Sequence, residues 1–305
     1  MEVLRRRRDV PRMLATAAVA LLLAAPQVLA QTLERIAETG TIKIGYREDA
    51  RPFSYRDKSG VPIGYAIELC RAIAAAAKTE LKLANLSIDY IPVTTQNRFQ
   101  SVADGWVDIL CGASTVTLTR RELVSFSIPT YMTGISPVMR ADAPAFLRDA
   151  LADRASTAPP RTALLQAFAD RTFGARAGTT AETWLRNNIK TLSSNAELLT
   201  VDSHDEGLRQ VVDGQLDAYF ADRAILLGLT AADADPGQFV VGERLYTHEP
   251  YGLALSKRDD DFRLLVDRSL SRLYRSPKFV PILTRYFGPP EASVLSRFLM
   301  TALPE

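Results

Sequence analysis

The 305-residue chain has two cysteines, two histidines and two tryptophans, and its 37 basic and 35 acidic residues nearly cancel. Each scarcity excludes something. Cys70, Cys111, His204 and His248 stand singly, so no cluster with metal-ligand spacing exists, and neither a metal nor a cofactor is expected. The balanced charge, without stripes of lysine and arginine, argues against a nucleic-acid or anionic-membrane partner. Past residue 30, no apolar run approaches the roughly 18 residues a membrane helix needs.

Positive charge is concentrated instead at the start. Arg5 to Arg8 and Arg12 precede an apolar run over 13–25, and Val28-Leu29-Ala30 offers a small-residue cleavage site, the pattern of a secretory signal over 1–30. Cleavage is expected before Gln31. Neither cysteine lies in the leader, which argues against a lipid anchor, and the residues after the arginine pair do not fit a twin-arginine signal. Cleavage removes five arginines and two acidic residues, leaving 32 basic against 33 acidic in 275 residues, a net charge of −1. That length is enough for two separate cores. An exported chain meets an oxidising compartment, so Cys70 and Cys111 are either a disulfide joining the first long helix to the central strand or two buried thiols.

Strands and helices then alternate. Residues 41–46 alternate as a strand, 47–54 form a loop, and 64–78 carry Ile67, Cys70, Ile73, Ala74 and Ala77 at helical spacing. A strand over 86–93, a short helix over 96–105 and a strand over 106–111 follow. Such alternation implies a mostly parallel sheet whose ligands gather at the carboxyl ends of its strands. Those ends carry Arg47, residues 94–98 and residues 113–120. The central stretch is 108–129: an apolar run ends at Cys111-Gly112, hydroxyl residues follow, and Thr119 reads as a helix N-cap with Glu122 as its capping-box partner. At such a junction free N–H groups, the Thr115 and Thr117 hydroxyls and a guanidinium can hold a carboxylate.

Residues 134–140 read as a crossing into a second lobe, and 141–169 form an unusual stretch broken by Pro159-Pro160. A strand over 173–177, a helix started by Gly178-Thr179-Thr180, a strand over 197–201 and a helix opened by Ser203 or His204 follow. DGQLDAYF (213–220) echoes DGWVDIL (104–110), with Asp at the fifth position of each, and Asp222 lies just past the second strand. Residues 251–256 read as the return crossing, 260–275 as an amphipathic helix, and the tail as a docked helix. Trp106 and Trp184 read as core.

These segments resemble the bacterial extracellular solute-binding proteins of family 3, which serve amino-acid ABC importers. The likeness rests on the leader, GYREDARPFSYRDKSGVPIGYAIELC (45–70), PVTTQNRFQSVADGWVDILCGASTVTLTRRELVSFSIP (92–129), AGTTAETW (177–184) and VDSHDEGLRQVVDGQLDAYFADRAIL (201–226). Residues 141–171 and the tail past 288 fit less well. The resemblance implies an α/β, two-lobe periplasmic-binding-protein fold of type II, the Venus flytrap, each lobe a mostly parallel sheet flanked by helices, with two hinge crossings. Residues 31–137 and 252–305 would form the first lobe and 138–251 the second.

It also implies roles. Arg120 would clamp the ligand α-carboxylate, assisted by Thr115, by Ala113 through its carbonyl, and by Thr180 beside Thr179 from the second lobe, while Asp222 takes the α-ammonium. Members that bind basic amino acids are similar to this chain but carry an acidic residue where Arg47 stands, and aromatics at Ala50 and Thr95. Here Arg47, Thr95, Arg98 and His204 make a slot of donors, as in the glutamate/aspartate-binding subgroup. The expectation is a periplasmic, monomeric protein that delivers glutamate or aspartate to a membrane permease and performs no covalent chemistry. A cyclohexadienyl-dehydratase-like enzyme on the same fold and a soluble amino-acid sensor are the alternatives.

Overall fold

A computed structural model describes residues 32–152, 161–192 and 194–305. The leader and its cleavage site therefore lie outside the described residues, as does part of the 141–171 stretch. The first part of the chain runs α1 (Thr32–Thr39), β1 (Thr41–Tyr46), β2 (Asp49–Ala50), β3 (Ser54–Arg56), β4 (Pro62–Ile63), α2 (Tyr65–Glu80) and β5 (Ser87–Pro92). Then come α3 (Arg98–Ala103), β6 (Ile109–Cys111), α4 (Leu118–Leu123), β7 (Ser125–Phe126) and β8 (Tyr131–Thr133). The middle comprises β9 (Ile135–Arg140), α5 (Ala145–Leu151), α6 (Arg161–Phe168), β10 (Thr172–Arg176), α7 (Thr180–Leu192), β11 (Glu197–Val201) and α8 (His204–Val212). After these follow β12 (Ala218–Asp222), α9 (Arg223–Thr230) and β13 (Phe239–Val241). The last part is β14 (Glu249–Tyr251), β15 (Ala254–Leu255), α10 (Asp260–Arg275), α11 (Phe279–Phe287) and α12 (Ala292–Thr301).

Two five-stranded sheets result, in the orders β5-β1-β6-β15-β7 and β11-β10-β12-β9-β13. In the first, β1 is parallel to β5 and β6 while β15 is antiparallel to β6 and β7. In the second, β10 is parallel to β11 and β12 while β9 is antiparallel to β12 and β13. The chain passes between the sheets twice, and the two crossings pair antiparallel as β8 with β14, setting Thr133 opposite Glu249 and Tyr131 opposite Tyr251. This is the two-lobed type II binding-protein architecture.

The helical spacing of residues 64–78 has its consequence in α2, where Ile67, Cys70, Ile73, Ala74 and Ala77 are all buried. Gly64 begins it at φ +132°, and a Cβ there would stand 2.3 Å from the Phe53 carbonyl oxygen, so only glycine fits. Cys70 is joined by a disulfide to Cys111 at the end of the central strand β6, settling the alternatives in favour of the bond. In α10, acidic residues in the first turn and Arg272 and Arg275 in the last complement the helix dipole. The tail docks as α12, with Phe298 edge-on to Tyr274 and Phe279.

The DG echo is structural. Asp108 accepts from Lys43 N at 2.7 Å and Asp217 from Thr172 N at 2.9 Å, each carboxylate fastening the start of a central strand to its parallel neighbour. Each also pairs with an arginine, Arg35 and Arg171 respectively. The tryptophans divide. Trp184 packs on Phe220 and Tyr246 as expected, but Trp106 is 65% exposed, because the turn after Gly105 points it outward before the strand begins three residues later.

Candidate ligand-binding site

At the carboxyl end of β6 the chain turns through residues 112–116 and enters α4. Thr117, extended at φ −129°, caps this helix by accepting from Arg120 N at 3.1 Å. The Thr119–Glu122 capping box expected from the sequence does not form. Val116 N donates to Pro250 O on the crossing strand at 2.8 Å, which holds the chain extended only to Thr117, and the helix starts two residues early. Arg120 consequently lies in the first turn, and its Nη1 donates back to Thr115 O at 2.8 Å while its guanidinium lies 5.0 Å from the centre of the Phe99 ring.

Around Arg120 stand hydroxyls and carboxyls. Glu249 Oε2 accepts from Thr115 Oγ1 at 2.5 Å and from Thr180 Oγ1 at 2.8 Å, and Oε1 accepts from Thr247 at 3.0 Å. Asp222, which ends β12 and precedes α9, makes no side-chain cap; its Oδ1 is buried without a partner. Burial first, and the Glu249 charge second, push its carboxyl up to about 7, with Arg120 acting in the opposite direction. Burial lowers the Arg120 guanidinium as well, against the raising effect of Glu249 and Asp222.

The other end is more basic. Arg47, at the end of β1, donates from Nη2 to Asp49 Oδ1 at 2.8 Å, and Arg176, at the end of β10, reaches the other oxygen of Asp49 at 2.7 Å. Burial would raise Asp49, but the two guanidiniums hold it below the usual carboxylate range. Arg98 opens α3 and is 3% exposed; it donates to its own Thr95 carbonyl and, at 3.3 Å, to Gly178 O beyond β10. Gly178 sits at φ +73°, the left-handed conformation that opens α7. Burial, then the charges of Arg120, Arg47 and Arg176, place Arg98 well below its ordinary pKa. His204 begins α8 under the Ser203 cap, and its Nδ1 lies 2.8 Å from the Tyr219 hydroxyl. Burial and the charges of Arg176 and Arg47 bring the ring down to about 3, so it is neutral near pH 7.

All ten residues singled out in the sequence, Arg47, Thr95, Arg98, Ala113, Thr115, Arg120, Thr179, Thr180, His204 and Asp222, line one cavity of about 430 Å³ including its open mouth. Ala50 lines it too. A second cavity of about 420 Å³ lies elsewhere, between Pro129, Tyr131 and α12. Three charged residues beside the site escaped sequence reasoning: Asp49, Arg176 and Glu249. Asp49 and Arg176 pair across 127 positions and Glu249 meets Thr115 across 134, so no local pattern joins them. Among the described residues no group of three or more His, Cys, Asp or Glu is placed to hold a metal ion.

Two hinged lobes with donors and acceptors converging between them define a binding protein that encloses a small solute. Residues 42–289 match the bacterial extracellular solute-binding proteins, family 3. The chain belongs to this family. It is 32% identical to the L-glutamate/L-aspartate-binding protein of Pseudomonas aeruginosa over 93% of this chain and 89% of that one. It is 27% identical to the glutamate/aspartate import solute-binding protein of Escherichia coli, over 85% and 80% of the two chains. Among solved structures, an ancestral amino-acid-binding protein described as a precursor of cyclohexadienyl dehydratase superposes at a TM-score of 0.69, with 24% identity over 85% of this chain and 100% of that one. A mutant of ArgBP from T. maritima superposes at 0.69 with 20% identity, covering 84% of this chain and 99% of that one. These two likenesses establish the fold. The curated relatives are solute-binding proteins rather than enzymes.

Proposed function

We infer that this chain is the periplasmic binding component of an amino-acid ABC importer, that it takes glutamate or aspartate between its lobes, and that its closed form is what a membrane permease receives. The observation that carries the reading is the crowding of guanidiniums. Arg47, Arg98 and Arg120 line one cavity, and Arg98 is held well below its ordinary pKa by burial and by the other arginines. Asp49 is divided between Arg47 and Arg176, and Asp222 and Glu249 face Arg120, so Arg98 is the guanidinium with no acid among the causes of its shift. An anionic ligand relieves that repulsion.

Arg120, Thr115, Thr180 and Thr179 suit the α-carboxylate, with Ala113 beside them, and the unpartnered Asp222 oxygen suits the ammonium. Arg47, Thr95, Arg98 and the neutral His204 ring suit the side-chain carboxylate. Charged hydrogen bonds contribute about 1.5–3 kcal/mol each. Micromolar affinity needs about 8 kcal/mol, so two clamped carboxylates and one ammonium pair reach it after desolvation losses. We set the lobe boundaries near residues 137 and 252, a few residues past the paired crossing strands β8 and β14. Because the ligand touches both lobes only when they close, binding shifts the population toward the closed form. The names of the relatives support the same ligand class.

Calorimetric titration of the refolded, ligand-stripped protein with glutamate, aspartate, glutamine, asparagine and arginine tests this. Glutamate or aspartate should bind at least tenfold more tightly than its amide. Tight binding of arginine with none of glutamate would overturn it.

A further inference from the structure

The crossing strand β14 carries a buried carboxylate that none of these roles uses. Glu249 is 4% exposed, and it touches both sides of the cleft through the hydroxyls of Thr115, between β6 and α4, and Thr180, at the start of α7. These are the hydroxyls assigned above to the ligand α-carboxylate. Asp222 has a buried, unpartnered Oδ1 and interacts with Glu249 through its side chain. Two neighbouring buried carboxyls cannot both stay charged unless a cation joins them; otherwise one keeps its proton. Arg120 is near both, but its Nη1 is committed to the Thr115 carbonyl.

We propose that Glu249 is the second carboxylate of the ammonium subsite, receiving the ligand ammonium together with Asp222 as the ligand α-carboxylate takes over the Thr115 and Thr180 hydroxyls. The proposal rests on the amino-acid reading above and deepens it, from one counter-ion to two. It also makes the crossing strand itself a ligand contact. In the arrangement seen here the Glu249 carboxylate joins the two lobes as an internal stand-in for the α-carboxylate; with a ligand bound it answers the ammonium. The elevated Asp222 pKa agrees with this, since the Glu249 charge follows burial among its causes and Arg120 and Tyr251 are the other groups facing it.

The test compares wild type with E249Q, which keeps the shape and loses the charge, using glutamate and glutarate, which retains both carboxylates and lacks the ammonium. E249Q should weaken glutamate by about tenfold to a hundredfold, the loss of one charge-assisted contact, and leave glutarate unchanged or tighter. A carboxyl NMR titration of Asp222 in E249Q should move its midpoint to lower pH, which establishes that the Glu249 charge reaches Asp222, while the glutamate-to-glutarate affinity ratio separates a ligand contact from a structural glutamate. Glu249→Asp should retain part of the glutamate-over-glutarate preference, and it carries the comparison should E249Q fail to fold. An unchanged ratio of the two affinities, equal losses for both ligands, or an unmoved Asp222 midpoint would overturn the proposal. If wild type takes glutamine and not glutamate, the acidic-ligand reading fails alone, and glutamine against glutaramate then decides on Glu249. If wild type binds no α-amino acid, both fall.

Discussion

Arg120 reaches the cleft because Thr117 caps its helix one turn below it and the Thr115 carbonyl holds its Nη1. Arg47 and Arg98 reach the same cavity from a strand end and a helix start. Their removal should differ in kind. Arg120→Ala should abolish binding of every amino acid, whereas Arg47→Met or Arg98→Met should weaken glutamate and aspartate by tenfold or more and spare glutamine, as read by calorimetry. Asp222 gives a pH signature. Its carboxyl, at about 7 in this state, must release its proton to receive an ammonium. Affinity should therefore fall as pH is lowered below 7, approaching about tenfold per unit, and level off above it. Calorimetry in buffers of different ionisation enthalpy should detect proton release near pH 6. His204 titrates near 3 and contributes no charge change over this range.

Among the elements, the disulfide from α2 to β6 fastens the first helix to the strand that leads into the site, closing a separation of 41 residues. Chain-entropy reasoning assigns a loop of that length about 4 kcal/mol. The C70A/C111A protein should lose roughly that much in denaturant unfolding, while its glutamate affinity, once folded, changes little. The elements also show what periodicity carries. The spans of β1, β11 and α10 were legible to the residue, and in β1 and α10 the apolar spacing records the face that is buried. The pattern blurred where two signals competed: Thr119–Glu122 resembles a cap, yet the bond from Val116 N to the crossing strand decides for Thr117. Trp106 misled because an aromatic beside a buried strand usually belongs to the core, whereas here a left-handed Gly105 turns it outward. The ten cavity residues were legible through family resemblance. Asp49, Arg176 and Glu249 were not, because the contacts that tie them into the cleft, Asp49 with Arg176 and Glu249 with Thr115 and Thr180, join distant segments and arise only when the lobes meet.

At the scale of the whole molecule, the lobes meet through charged and polar contacts, Arg176 on Asp49, Arg98 on the Gly178 carbonyl, and Glu249 bridging Thr115 and Thr180, and also through apolar ones, where α9 packs at Gly228 against Pro52 and one apolar cluster holds Phe53 together with Leu226. The apolar part of this contact favours closure regardless of ligand. Polar contacts that a ligand can complete or replace make closure depend on it, which an importer needs for a permease to distinguish loaded protein from unloaded. Among the described residues, no helix is long and apolar enough to cross a membrane. The most direct test of the central claim is a crystal structure of the protein grown with glutamate. The account predicts closed lobes, the α-carboxylate on Arg120, and the side-chain carboxylate within hydrogen-bonding distance of Arg47 and Arg98. A ligand whose side-chain carboxylate points away from both guanidiniums, or a cleft that refuses glutamate at saturating concentration, would contradict it.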